Sequence, residues 1–233
     1  MSVETLFLDA GGVLVFPNWT RVSDALARHG VHVDAARLAA ADPRAKRRLD
    51  VGDTIAATSD LQRGWLYFNL VLTEAAVPLS AATEAALAEL HEYHMVRNLW
   101  ELVPGDVPQA LTRLRGLGVR LVVVSNANGT LRAVFERLGL SGLVDVLIDS
   151  HDEGVEKPDP RLFHLALERA GARATTTMHV GDLYHVDVIG ARAAGIRAVL
   201  LDAGGLYVGY DCARVRALDE LADLVAEDAV PSA

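Results

Sequence analysis

Five short runs rich in Val, Ile and Leu constrain this chain most: TLFLD, RLVVVSN, VDVLIDS, TTMHVGD and IRAVLLD. Each is bounded by polar residues or glycine, as strands buried on both faces of a parallel sheet are. Helical patterns separate the last four. DVPQALTRLRGLG ends in a glycine and NGTLRAVFERLGL carries one just before its last residue, each suited to the residue after a helix. DPRLFHLALERAG starts with Asp159 as an N-cap and Pro160 at the first helical position, and VDVIGARAAG supplies a short helix. Strand and helix in alternation predict an α/β fold, a doubly wound, mainly parallel, Rossmann-like sheet.

The stretch between the first and second runs breaks this rhythm. From about Phe16 to Trp100 it holds almost no β-run, and TRVSDALARHG, DAARLAAADPRAKRRLD, DLQRGWLYFNLVLTEAAV and AATEAALAELHEYHMV all carry helical spacing or strong helix formers. A plain crossover needs one helix, so residues 16–100 are expected to form an inserted α-helical subdomain on a core of 1–15 and 101–233. The closing AVPSA reads as a frayed tail.

Composition narrows the function. The net charge of −9 lacks the basic footprint that nucleic-acid binding needs. Cys212 is the single cysteine, so an intrachain disulfide and a cysteine-rich metal site are excluded. The first residues carry acids and no basic signal-peptide region, and no uncharged apolar run approaches the roughly 18 residues of a membrane span. A cytoplasmic protein without nucleic-acid or membrane partners is expected; the oligomeric state is not legible.

Ligands in open parallel sheets bind beyond the carboxyl ends of the strands. Asp9 follows the first run, Ser125 and Asn126 the second, Lys157 the third, and Asp182 with Asp187 the fourth. Each has a plain alternative: a turn or helix cap for Ser125–Asn126, a solvated surface for Lys157, a helix cap for Asp182. Their ordered placement at one sheet edge points to a site. His179, inside the fourth run, reads as a buried histidine supporting it.

On these residues the chain resembles the haloacid dehalogenase-like hydrolase superfamily over nearly its whole length. The carriers are DAGGV at Asp9–Val13, LVVVSN ending in Ser125 and Asn126, KPDP at Lys157, and GDLYHVD with Asp182 and Asp187. The insertion looks like the family's helical cap. The resemblance implies a Mg²⁺-dependent phosphatase acting on a small phosphorylated substrate, with Asp9 as the nucleophile that becomes an aspartyl-phosphate. Gly12, Ser125, Asn126 and Lys157 would hold the phosphate. Asp9, the Gly11 carbonyl, Asp182 and Asp187 would surround the metal. One position departs from the pattern. Where most family phosphatases carry a second Asp as general acid/base, this chain has Gly11, and losing such a group costs about 10²–10⁴-fold in rate.

Asn18, Tyr184 or His185 could stand in for that acid. The departure also opens a 2-haloacid dehalogenase reading, with Arg21 or Arg28 as halide acceptor, and a reading as a catalytically weak binding protein of the same fold. Trp65, Tyr67 and Phe68 in GWLYFN could line a substrate pocket or form the cap's own core.

Overall fold

The computed structural model describes residues 2–229; the AVPSA stretch beyond Ala229 lies outside them. The chain divides into two compact units, one running to Phe16 and resuming at Val103, the other spanning Pro17–Leu102. These boundaries lie one and two residues further along than the sequence suggests.

The first unit is a six-stranded sheet. Its strands are β1 (Thr5–Leu8), β4 (Arg120–Ser125), β5 (Val146–Asp149), β6 (Thr177–Gly181), β7 (Arg197–Leu201) and β8 (Ala213–Val215). β2 (Phe16–Pro17) and β3 (Trp100–Leu102) pair separately, where the chain enters and leaves the helical unit. The sheet order is β5-β4-β1-β6-β7-β8, and the neighbouring strands run parallel. The chain thus winds outward from β1 to one side and then, from β6, to the other. The reversal falls between β1 and β6, where α/β sheets of this order open a crevice for ligands.

The strands are apolar on both faces because helices cover both. Phe7, Val122 and Val124 pack with α9 (Pro160–Ala170) and α10 (Ile189–Ala193) on one side. Their alternating neighbours Leu6, Leu8, Leu121 and Val123 are fully buried too, and by the period of two they point to the opposite face. α6 (Val107–Gly116), packed on β4, lies against α11 (Leu218–Ala229). The expected helix ends hold: Gly118 (φ 80°) and Gly139 (φ 72°) follow α6 and α7 (Leu131–Arg137), and the Asp159 side chain accepts from the Arg161 N–H at the start of α9. The remaining helix of this unit, α8 (Ser150–Glu153), is one turn after β5.

Several elements are not visible in the sequence patterns, among them the short β2, β3 and α8, and α11. β8 is three residues long with only Val215 buried, too short to show a period. The VDVIGARAAG helix opens instead with a π-helical turn over Tyr184–Val188. In the second unit, α1 (Trp19–Arg28), α2 (Ala35–Leu49), α4 (Asp60–Glu74) and α5 (Ala81–Arg97) match the four expected helices, and the six-residue α3 (Gly52–Ala57) is additional. These helices share a core of their own that includes Trp19, Leu38, Phe68 and Leu90.

Candidate active site

The site begins with Asp9, the first residue past β1. Its N–H donates to the Val180 carbonyl of β6 at 2.8 Å, and its own Oδ1 accepts from the Ala10 N–H at 2.7 Å. The next residues fold into a tight turn: the Ala10 carbonyl accepts from the N–H groups of Leu14 and Val15, both at 2.9 Å. Gly12 sits at φ 77°, a conformation that favours glycine, whereas Gly11 bridges to Val15. Leu8 is level with Val123, so Asp9 and the buried Ser125 emerge from adjacent strand ends.

Lys157 lies in the loop before α9 and is only 1% exposed. A buried ammonium is tolerated only when paired. Its Nζ reaches Asp9 Oδ1 at 3.0 Å and Asp187 Oδ1 at 2.7 Å. Burial alone would push its pKa down, but Asp187 and Asp9 outweigh burial and hold it above the ordinary lysine range.

Asp187 comes from the π-helical turn, and nothing of it is exposed. Oδ1 accepts from Lys157 and from His179 Nε2 at 3.0 Å, while Oδ2 accepts from the Leu183 N–H at 3.0 Å. Burial works against its charge, yet Lys157 and His179 hold its carboxyl well below the usual range. The carboxylate is seated on Gly181: a Cβ there would stand 2.0 Å from Asp187 Cγ. Gly181 stands in the GDLYHVD motif, and a glycine directly before a strand-end Asp is the sequence signal for such close approach.

Asp182, 8% exposed, completes a group of three carboxylates with Asp9 and Asp187, whose ligand atoms lie within 4.8 Å of one another. Three carboxylates thus converge, with one ammonium against two of them, Asp9 and Asp187. Burial, and then Asp187, push the Asp9 carboxyl above its ordinary range, with Lys157 opposing. A hard divalent cation among these oxygens would favour the ionised form of Asp9. The donor set therefore fits Mg²⁺.

Asn126 behaves differently from the other expected ligands. Its Nδ2 donates to the Lys157 carbonyl at 3.0 Å, and its Oδ1 accepts from the Lys157 N–H at 2.7 Å. Its carboxamide thus grips main chain. His179 is fully buried, with Nδ1 lacking a partner.

The other candidates separate as follows. Asn18 caps α1 through Oδ1 and donates to Glu101 from Nδ2. The Tyr184 hydroxyl donates to Asp211, and the half-buried His185 lies edge-on against the Tyr184 ring. Arg21 pairs with Glu101 and stacks on Tyr93; Arg28 pairs with Glu89. Tyr67 and Phe68 are buried in the helical unit's core, with Trp65 partly buried against it, so the aromatics serve that core. Cys212 is a free, half-buried thiol.

Residues 3–195 match the family model described as haloacid dehalogenase-like hydrolase. A ribulose-1,5-bisphosphate 5-phosphatase of Halopiger xanaduensis is 39% identical over 102 residues, 43% of this chain and 42% of that protein. The chain spans about half the length of the curated relatives it matches. Among solved structures, a HAD phosphatase from Thermococcus onnurineus aligns over 98% of this chain and 100% of its own, with TM-score 0.60 and 25% identity. A 2-haloacid dehalogenase from Pseudomonas syringae shares the fold, with TM-score 0.60 and 24% identity over 97% of this chain and 99% of that one. The carboxylates and lysine gathered at the reversal of the sheet therefore stand in a shared framework, and the chain belongs to the haloacid dehalogenase-like hydrolases.

Proposed function

We propose that the protein is a Mg²⁺-dependent phosphatase of small phosphomonoesters. The observation that carries this reading is the convergence of three carboxylates at a largely buried strand-end site: one oxygen each of Asp9, Asp182 and Asp187 lies within 4.8 Å of the others, with the Lys157 ammonium against Asp9 and Asp187. A cation and a phosphoryl group complete such a site; stability alone does not need it. Asp9, Asp182 and the Gly11 carbonyl would hold Mg²⁺ with Asp187 beside it, and the ion would neutralise charge on the phosphoryl oxygens.

In this reading an Asp9 carboxylate oxygen attacks phosphorus as the bond to the leaving oxygen breaks. Lys157 and Ser125 hold the equatorial oxygens, by charge and by hydrogen bond, with the Gly12 turn beneath. Water then attacks the phosphorus of the aspartyl-phosphate, releasing phosphate and restoring Asp9. Gly11 has no side chain to protonate the leaving oxygen, which takes its proton from solvent. Esters with acidic leaving groups, such as aryl or acyl phosphates, are then favoured over sugar or alkyl phosphates. Relatives named as phosphatases support the reaction class. The test is turnover of a panel of phosphate esters with and without Mg²⁺; a chelated protein as active as the loaded one overturns the reading.

Gly11 also favours a second reading, the 2-haloacid dehalogenase, because displacing halide from carbon needs no leaving-group acid. Both arginines proposed for halide already serve carboxylates. Release of chloride from a 2-chloro acid distinguishes the two.

A further inference from the structure

Lys157 is the only cation in contact with Asp9 among the described ion pairs, and its ammonium is useful only if it is held in place. A lysine carries four rotatable side-chain bonds, so its placement depends on how firmly the main chain beneath it is fixed. Two features fix it. The Asn126 carboxamide bonds both polar groups of the Lys157 main chain, at 2.7 Å and 3.0 Å. Asn126 is itself anchored: the neighbouring Ala127 N–H donates to Ser150 Oγ at 3.1 Å, and the Leu131 N–H donates to the buried Asp149 at 3.2 Å. From the other side α10 presses on the next residue. A Cβ at Gly190 would stand 2.9 Å from the Pro158 carbonyl oxygen and 3.0 Å from its Cα, both main-chain atoms that cannot swing aside.

We infer that Asn126 and Gly190 are positioning residues for Lys157, gripping residues 157 and 158 so that Nζ bridges Asp9 and Asp187. Asn126 then acts through Lys157 and does not itself bind phosphate. Only a side chain with a donor and an acceptor side by side can satisfy both Lys157 groups, which explains an amide at this position. The catalytic consequence rests on the phosphatase reading; the structural one does not.

The test is a double-mutant cycle on an aryl phosphate with saturating Mg²⁺. Asn126→Ala should lower kcat by about 10- to 100-fold, the scale of a 1 Å misplacement, with KM little changed. Asn126→Ala combined with Lys157→Ala should lose no more than Lys157→Ala alone. Gly190→Ala should show the same non-additivity. Losses that multiply, or an effect on KM alone, overturn the inference in favour of direct substrate contact. A crystal structure of Asn126→Ala gives a readout free of turnover: Nζ displaced from Asp9 or Asp187 supports the inference, and Nζ unmoved overturns it, even if no phosphatase activity is found. Should Asn126→Ala fail to fold, Asn126→Asp takes its place. It keeps the size and the acceptor for the Lys157 N–H, but sets an acceptor against the Lys157 carbonyl.

Discussion

Two polar clusters, one in each unit, look alike on a list of contacts and differ in how many carboxylates they bring together. In the helical unit, Glu101 Oε1 accepts from Asn18 Nδ2 at 2.9 Å and Arg21 Nε at 2.8 Å, while Oε2 accepts from the Tyr93 hydroxyl at 2.8 Å. One carboxylate meets one guanidinium, which also lies over the Tyr93 ring at 3.9 Å. In the sheet unit, three carboxylates converge and one ammonium meets two of them, Asp9 and Asp187. The first cluster is closed and ties the start of α1 to β3. The second gathers carboxylate oxygens close enough together to hold one cation. A single paired carboxylate is explained by the fold it stabilises; three convergent carboxylate oxygens offer a place for a cation.

The sharpest way to break that contrast is Asp9→Asn, which keeps shape and removes one charge. Hydrolysis of an aryl phosphate should fall by at least about 10⁴-fold, as when other covalent nucleophiles are removed, while the protein stays folded by circular dichroism. Near-parental turnover would remove the covalent role from Asp9. Next in size is Gly11→Asp. Because the left-handed turn falls on Gly12, a side chain at position 11 is not opposed by that strain. Esters with poor leaving groups should gain up to about 10²–10⁴-fold, and the dependence of rate on leaving-group pKa should flatten. An unchanged slope in the folded variant would mean that another group already supplies the proton.

Mg²⁺ should raise the melting temperature of the parent, since a ligand at 100 times its Kd stabilises by about 2.7 kcal/mol. Asp182→Ala should weaken that response, and an equal shift in both proteins would place the ion elsewhere. The smallest expected effect lies in the closed cluster. Burial raises the Glu101 pKa, but Arg21, Tyr93 and Asn18 together bring it below its ordinary value near 4.5. A lowered carboxylate pKa gives stability that is present above the ordinary value and is lost as pH falls through the folded one. Glu101→Gln should therefore cost about 1 kcal/mol at pH 7, read by hydrogen exchange of α1, and less below pH 4. The Mg²⁺ shift should not change; its loss in this variant would erase the distinction between the clusters.

The same difference governs what was legible in the sequence. Residues ending buried strands, Asp9, Ser125 and Asp182, could be placed from pattern because strand period and sheet topology determine where they emerge. Main-chain contacts could not. Nothing in the residues around Asn126 signals that its carboxamide bonds the Lys157 main chain. Gly181 and Gly190 matter for what lies against them, Asp187 and Pro158, which no periodicity encodes. The π-helical turn that presents Asp187 is hidden for the same reason, since it differs from an α-helix by hydrogen-bond register and not by composition. In the helical unit, Tyr67 and Phe68, which the sequence leaves between a substrate pocket and a core, are buried in the core.

The central claim is that Asp9 itself becomes phosphorylated. Incubating the protein with an aryl phosphate and Mg²⁺, quenching in acid, reducing with borohydride and mapping peptides by mass spectrometry reads this directly. Reduction turns a phosphorylated aspartate into homoserine. The account predicts homoserine at position 9, dependent on Mg²⁺ and absent without the phosphate ester. Turnover of the ester with position 9 recovered only as aspartate, or homoserine at Asp182 or Asp187 instead, would contradict it.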